Sequence, residues 1–225
     1  GGVAHHDGDV LMMGDEYRAF LEAKVALAPA GGFEVDPAGV HPLLKPHQRD
    51  SVVWAVRGGR RALFQAFGLG KTLEQLETVR LTRERAGGRG LIVCPLGVRQ
   101  EFVRDAAMIG LAPRFIRRLD DAEDPDGIYL TNYETVRDGK LDPTAFSVVS
   151  LDEAACLRGF GGTKTFREFM RLYEGTARYR FVATATPDPN SYLELAAYAA
   201  FLDIMDVGEI KTRFFRRDSE KADAL

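Results

Sequence analysis

The chain has 225 residues, of which 45% are hydrophobic and 28% charged, and its formal net charge is −3. This length suits one large α/β domain with a small appendage, and the composition is that of an ordinary globular protein and not of a fibrous or disordered one. No apolar run reaches membrane-spanning length and no signal-peptide pattern is seen, so with only Cys94 and Cys156 as thiols we expect a cytoplasmic protein without disulfide or metal–thiolate chemistry.

The first part of the chain is predicted to precede the main domain. Residues 1–14 are rich in glycine and histidine and are expected to be poorly ordered. Residues 15–28 are predicted to form a helix, because their apolar residues recur at helical spacing. Residues 29–46 are interrupted by proline and glycine and are predicted to form a connector, which leads into a second helix at residues 47–56.

Strands and helices then alternate along the chain. The predicted strands are short apolar runs bounded by turns: residues 62–65, 90–94, 115–117, 128–131, 146–151 and 180–184. The predicted helices lie between or after them: residues 71–85, 98–109, 163–172 and 191–202. This alternation predicts an α/β fold with a mainly parallel central sheet and helices on both faces. In such a fold, ligands bind beyond the carboxyl ends of the strands.

The segment after the first predicted strand carries a run of candidate nucleotide-binding residues: Gly68, Leu69, Gly70, Lys71 and Thr72. A strand, a glycine-rich loop and a helix in this order form a phosphate-binding loop, whose backbone N–H groups surround an anion. Lys71 supplies charge for the β- and γ-phosphates, and the Thr72 hydroxyl can bind Mg²⁺. The usual pattern begins with a glycine where this chain has Gln65, and a loop that merely caps a helix is the alternative.

Two adjacent carboxylates, Asp152 and Glu153, follow the predicted strand 146–151. They are expected at the same edge of the sheet as the phosphate-binding loop. Asp152 can hold Mg²⁺ through water, and Glu153 can orient and deprotonate an attacking water molecule. The alternative is a surface acidic pair that begins a helix, where carboxylates interact favourably with the helix dipole.

Further candidates lie at other strand ends and at one helix start. The hydroxyl groups of Thr184 and Thr186 can bond to the acidic pair, although a threonine-rich strand that stops at a proline would look the same. Gln48 carries an amide that can pair with an adenine edge, unless it belongs to an ordinary helix N-terminus. The last candidates lie in loops that could contact nucleic-acid phosphates: Pro95, Thr131, Asn132 and Tyr133.

Taken in order, these motifs resemble those of the superfamily 2 helicase and translocase ATPases, in particular the Swi/Snf-like branch. The matching segments are similar to the Q motif (45–48), motif I (67–72), motif Ia (91–95), motif Ib (131–134), the DEAH-type box (152–155) and motif III (184–187). In that branch motif I lacks the early glycine, which accounts for Gln65. Residues 64–77 and 184–205 also resemble bacteriophage and prophage helicases, whereas Ala155 departs from the histidine usual in the box.

The resemblance implies the N-terminal motor lobe of a helicase or translocase. Residues 47–205 would form a RecA-like domain that binds ATP and Mg²⁺ and contacts DNA, duplex DNA more than RNA, in a bacterial or phage-infected cell. Lys71, Asp152 and Glu153 would be catalytic, and the two threonines would couple the acidic pair to the rest of the motor.

The resemblance also implies a second RecA-like lobe, which in this family supplies an arginine finger. Residues 206–225 would begin the linker to it, and we expect the chain, which starts with glycine, to be cut from a longer protein. An arginine finger raises turnover by about 10³–10⁵-fold. The chain alone is therefore expected to hydrolyse ATP poorly, and vigorous DNA-stimulated hydrolysis by these 225 residues would contradict this.

Two other functions remain open from the sequence. A stand-alone, non-enzymatic module could bind nucleotide or DNA within an assembly. A P-loop phosphotransferase would need a lid with clustered arginines and a pocket for its acceptor, and the ordered set of motifs argues against it. Replacing Lys71 should abolish nucleotide binding by a motor or a phosphotransferase and leave partner binding by an assembly module intact.

Overall fold

The computed structural model describes residues 30–153, 177–186, 193–205 and 208 of the chain. These contain six β-strands: β1 Arg60–Phe64, β2 Arg89–Val93, β3 Arg114–Phe115, β4 Ile128–Thr131, β5 Phe146–Asp152 and β6 Tyr179–Thr184. The α-helices of the same residues are α1 Pro46–Gly58, α2 Lys71–Ala86, α3 Arg99–Met108, α4 Tyr133–Arg137 and α5 Leu193–Phe201. The predicted helices at 15–28 and 163–172, and Cys156, lie outside the described residues.

The six strands form one sheet in the order β1-β6-β5-β2-β4-β3, and every neighbouring pair is parallel. Strands that follow one another in the chain and run parallel in one sheet need a crossover connection, which α2 provides between β1 and β2 and α3 provides between β2 and β3. The predicted α/β fold with a central parallel sheet is confirmed. All carboxyl ends of the strands therefore meet at one edge, which we call the carboxyl edge.

Side chains of alternate strand residues point to opposite faces of the sheet and build two hydrophobic cores. Ile92 of β2 packs with residues of α1, α2 and α3, including Val56, Leu76 and Phe102. Its neighbours Leu91 and Val93 pack on the other face with residues of α4 and α5. Helices thus cover both faces, as predicted, and the sheet is held between them.

Two elements differ from the prediction. The structure contains the short helix α4 at Tyr133–Arg137, which was not predicted, and Asn132 caps it by accepting the N–H of Thr135 at 3.2 Å. Strand β3 ends at Phe115, whereas the prediction extended it to Arg117. The Asp121 carboxylate accepts the N–H groups of Arg117 and Arg118, both at 3.2 Å, and this turns the chain away from the sheet.

Within residues 30–153, 177–186, 193–205 and 208, no helix has both the length and the apolar character to cross a membrane.

Candidate active site

Two glycines shape the backbone of the loop between β1 and α2. Gly68 and Gly70 adopt left-handed φ values of 81° and 84°, which residues with a side chain rarely adopt. A Cβ atom at Gly70 would also lie 2.2 Å from Nε2 of Gln48. Helix α2 begins at the next residue, Lys71, so the positive end of its dipole faces the loop. The predicted strand–loop–helix arrangement is therefore present.

The Gln48 side chain holds this loop in place through hydrogen bonds to its backbone. Its side chain is buried, and its Nε2 donates to the carbonyl oxygens of Leu69 at 3.0 Å and Gly70 at 3.4 Å. Its Oε1 accepts the N–H of Lys45 at 2.8 Å, which fixes the orientation of the amide. Both the NH₂ group and the oxygen of the amide are thus hydrogen-bonded within the protein. An adenine edge would have to exchange with these bonds to be read by Gln48.

The Lys71 ammonium lies over its own loop. Its Nζ donates to the carbonyl oxygens of Gln65 at 3.2 Å and Ala66 at 3.4 Å, and it lies 5.4 Å from the centre of the Phe67 ring. The Phe67 side chain is itself 73% exposed. These contacts are weak enough for anionic phosphate oxygens to replace them, because a charged acceptor binds an ammonium more strongly than a carbonyl does.

The Asp152 carboxylate ends β5 and is held by a buried hydrogen-bond chain. Gln75 of α2 donates from Nε2 to Oδ1 of Asp152 at 2.7 Å, and its Oε1 accepts the Ser150 hydroxyl at 2.9 Å. The hydroxyl therefore sets the amide so that its NH₂ group faces the carboxylate. Burial raises the pKa of Asp152 to about 6, against the opposing effect of the Gln75 hydrogen bond.

Glu153 follows with an unusual backbone. Its φ of 47° lies in the left-handed region, which is unfavourable for a residue with a side chain. Its Oε1 accepts the Thr184 hydroxyl at 3.4 Å. The Thr184 hydroxyl oxygen in turn accepts the N–H of Thr186 at 3.2 Å. Both predicted threonines thus lie next to the acidic pair, Thr184 through its side chain and Thr186 through its backbone.

The loop and the acidic pair line one cleft of about 340 Å³ at the carboxyl edge. Its described lining comprises Phe67, Gly68, Gly70, Lys71 and Thr72 of the loop region, Val98, Glu101, Phe102 and Asp105 of the α3 region, and the pair Asp152 and Glu153. This volume falls in the range of small-molecule sites. Residues far apart in sequence are therefore brought together as the motifs predict.

The donor set of this cleft suits Mg²⁺. Thr72 offers a hydroxyl and Asp152 a carboxylate, and hard oxygen donors of this kind are the ligands that Mg²⁺ prefers. In the described part of the chain, no group of three or more His, Cys, Asp or Glu side chains could hold a metal alone. Mg²⁺ needs no such group, because it is usually bound by one or two protein oxygens with phosphates and water.

The predicted nucleic-acid residues lie at the ends of the neighbouring strands β2 and β4. The Thr131 side chain is buried and its hydroxyl donates to the carbonyl of Ile116 at 3.0 Å. Tyr133 is 7% exposed and its hydroxyl donates to the carbonyl of Asp152 at 2.7 Å. Pro95 and Asn132 are only partly buried. Among these four, Pro95 and Asn132 are therefore the residues presented at the surface.

The structure adds a polar cluster that the motifs did not predict. Gln65 occupies the position of the missing glycine, and its Nε2 donates to Ser51 Oγ at 3.0 Å and to Glu74 Oε1 at 3.1 Å. Glu74 is fully buried, and burial raises its pKa to about 7. The available signal was the pair Glu74-Gln75, which places polar residues on the face of α2 that packs on the sheet.

The fold is similar to those of several solved structures. No protein-family model matches the chain, and a search of the curated proteins finds no match. The SWI2/SNF2 ATPase core of Sulfolobus solfataricus in complex with dsDNA superposes with a TM-score of 0.68 at 21% identity, covering 84% of this chain and 42% of that one. The UvsW helicase of bacteriophage T4 superposes with a TM-score of 0.55 at 16% identity, covering 83% of this chain and 65% of that one.

A third solved structure extends the same likeness. The helicase domain of Pyrococcus furiosus Hef has a TM-score of 0.56 at 14% identity, covering 72% of this chain and 36% of its own. The chain thus spans less than half the length of the Sulfolobus core and of the Hef domain. Its described part has the RecA-like α/β fold that occurs in ATPase and helicase cores.

Proposed function

We propose that the chain is an ATP-binding motor lobe of a superfamily 2 DNA translocase or helicase. The observation that carries this proposal is the cleft at the carboxyl edge, where Lys71 of the phosphate-binding loop faces the Asp152–Glu153 pair. Nucleotide hydrolysis needs a positive group that binds phosphate, a carboxylate that binds a metal and a carboxylate that activates water.

Each part has a distinct role in this proposal. The loop N–H groups and Lys71 bind the phosphates of ATP, and Gln48 holds the loop in shape. Thr72 and Asp152 would hold Mg²⁺, which when bound neutralises charge on the β- and γ-phosphates. Glu153 would accept a proton from the attacking water, and its hydrogen bond with Thr184 keeps the carboxylate in place.

The charge of the cleft supports a requirement for a second lobe. Of the described residues that line it, Lys71 is the only cation, while Glu101, Asp105, Asp152 and Glu153 are all acidic. ATP brings further negative charge, and the charge on its γ-phosphate must be stabilised during transfer. We infer that a further cation reaches the γ-phosphate from a second RecA-like lobe.

DNA is proposed as the nucleic-acid partner. A similar solved structure is an ATPase core bound to dsDNA, and the likeness to a phage T4 helicase is compatible with a phage-derived protein in a bacterial host cell. The DNA backbone would cross the loops that follow β2 and β4, at Pro95 and Asn132. Contacts to phosphates and not to base edges would give affinity without sequence preference.

Nucleotide binding is the first test. Titration of the chain with a fluorescent ATP analogue and Mg²⁺ should show saturable binding. Lys71→Ala should abolish measurable binding, with a loss of affinity of about a hundredfold, because one charge-assisted contact to phosphate is lost. The matched control is Lys140→Ala, since Lys140 is exposed and its ammonium pairs with Asp138, away from the cleft. Equal affinity of both variants, or no binding by the unmodified chain, would contradict the proposal.

A further inference from the structure

The Tyr133 hydroxyl forms a bond that links two motifs across the carboxyl edge. Tyr133 is the first residue of α4 and follows the end of β4 after Asn132, and its hydroxyl donates to the carbonyl oxygen of Asp152 at the end of β5. These strands are not neighbours, because β2 lies between them. The tyrosine side chain therefore reaches over the end of β2, and at 2.7 Å its hydrogen bond is well formed.

The accepting carbonyl belongs to the peptide unit that joins the acidic pair. Turning this peptide changes the φ angle of Glu153, which is held at 47°. A left-handed φ at a glutamate persists only where surrounding contacts maintain it. The Tyr133 bond is one such contact, and the Thr184 bond to the Glu153 carboxylate at 3.4 Å is another.

The backbone that precedes Tyr133 belongs to one of the loops proposed to bind DNA. The preceding residue, Asn132, caps α4 by accepting the N–H of Thr135, and the carbonyl of Thr131 accepts the N–H of Cys94 at 2.9 Å. The ring of Tyr133 is buried in the hydrophobic core beneath α4. Tyr133 thus connects this loop, through the backbone at Asn132, with the carbonyl of Asp152.

We propose that Tyr133 is a positioning residue that couples nucleic-acid binding at the loops after β2 and β4 to the placement of the Glu153 carboxylate. This inference rests on the proposed function. Contact of the DNA backbone with the loop at Asn132 fixes the start of α4. The Tyr133 hydroxyl then holds the Asp152–Glu153 peptide in the orientation that aims Glu153 at the water nucleophile.

The test is the hydroxyl deletion Tyr133→Phe in the protein as its gene encodes it. ATP turnover is measured with and without duplex DNA, together with the KM for ATP, the Kd for DNA and the melting temperature. We expect the stimulation of kcat by DNA to fall about tenfold, the size of one lost buried hydrogen bond. The KM for ATP and the Kd for DNA should stay within about twofold, since neither ligand touches the hydroxyl.

The matched control is Tyr129→Phe on the same strand, β4. The Tyr129 hydroxyl also forms hydrogen bonds within the protein. It donates to the carbonyl of Asp124 and accepts the N–H of Asp124, both at 2.8 Å. This site is near the opposite end of β4, so the loss of stability should be similar while stimulation by DNA is unchanged.

Three outcomes would overturn the inference. The first is that Tyr133→Phe keeps the full stimulation by DNA, and the second is that both variants lose stimulation in proportion to their melting temperatures. In either case the unmodified protein still behaves as a motor and only the coupling role fails. If the unmodified protein shows no turnover that responds to DNA, the proposed function fails and the coupling inference fails with it.

Discussion

Glu74 and Gln65 form a hydrogen-bonded pair beside the loop between β1 and α2, and each has one buried oxygen without a hydrogen-bond donor. Gln65 Nε2 donates to Glu74 Oε1 at 3.1 Å, whereas Glu74 Oε2 and Gln65 Oε1 have no donor among the described residues. Two buried acceptors without a donor are unfavourable. A proton on the Glu74 carboxyl would supply one, in agreement with its pKa of about 7.

The first prediction concerns this carboxyl and the dependence of stability on pH. The pKa of Glu74 rises from 4.5 in the unfolded chain to about 7 in the fold, so between these values the folded state holds a proton that the unfolded state has lost. Stability therefore falls as pH rises from 4.5 to 7, by at most about 3 kcal/mol for this group. Glu74→Gln is neutral at every pH and offers an NH₂ donor, so it should be more stable than the unmodified chain at pH 8.

Thermal unfolding of both proteins from about pH 5 to pH 8 measures this. The gain in melting temperature of Glu74→Gln should grow with pH, and Glu134→Gln, at an exposed position, should show no such trend. A constant difference between Glu74→Gln and the unmodified chain across the range would refute the assignment. Contributions from Asp152 are common to all three proteins and cancel in the comparison.

Sequence patterns predicted the residues at the cleft whose chemistry is encoded locally. Lys71 and Thr72 follow a glycine pair, and Asp152 and Glu153 follow an apolar strand, so each motif is visible within a few residues. Gln75 was not predicted, because its partners Ser150 and Asp152 lie 75 and 77 residues away. Only the packing of α2 on β5 brings them together, and no short-range spacing reports that contact.

At the scale of elements, the connector before α1 packs closely against the end of that helix. The N–H groups of Gly31, Gly32 and Phe33 donate to the carbonyls of Gly58, Arg57 and Val56 at 3.0, 3.2 and 3.3 Å. The last carbonyls of a helix have no partner within it, so the connector satisfies groups that would otherwise need water. From sequence the glycine pair predicted only a loop.

The second prediction follows from the closeness of this contact. A Cβ atom at Gly32 would lie 1.7 Å from the carbonyl oxygen of Val56, so an alanine there must push the connector off the helix. Gly32→Ala should lower the free energy of unfolding by about 2 kcal/mol or more. Gly39→Ala is the control, because a Cβ at Gly39 meets nothing within 4 Å. Denaturant midpoints measure both, and equal midpoints would contradict the contact.

Length and patterning decided which elements could be predicted. Helix α2 has 16 residues, and its start was predicted at Lys71, where the structure begins it. Helix α4 has 5 residues, too few for a helical period to appear in the sequence. Strand β3 has 2 residues, and its end depends on the Asp121 carboxylate, a contact that hydropathy does not report.

At the scale of the whole molecule, the distribution of charge matters more than the net charge of −3. The cleft is acidic, whereas arginines gather beside the loops after β2 and β3. The Arg99 guanidinium lies 5.1 Å and that of Arg117 6.0 Å from the centre of the Phe115 ring. Neither arginine forms an ion pair with a described residue, so both charges remain available to an anionic partner.

The last prediction uses these arginines to test the proposed binding of DNA. If their guanidinium groups contact phosphates, the affinity for duplex DNA falls steeply with salt, because bound counterions are released. Arg99→Ala and Arg117→Ala should each reduce the slope of log K against log salt by about 1 and weaken binding to all sequences alike. The slope is measured by fluorescence anisotropy of labelled duplexes at several salt concentrations.

The control for both variants is Arg57→Ala. Arg57 lies at the end of α1, near the start of β1 and thus away from the carboxyl edge, and its guanidinium pairs with Glu34 at 2.8 Å. This variant should leave the slope unchanged, although it removes the same formal charge. If all three variants change the slope equally, only the total charge matters and DNA has no fixed path over the loops. If only Arg99→Ala and Arg117→Ala reduce the slope, the result supports a path of the DNA backbone across the carboxyl edge beside Asn132. The coupling proposed for Tyr133, from bound DNA to the position of Glu153, requires this path.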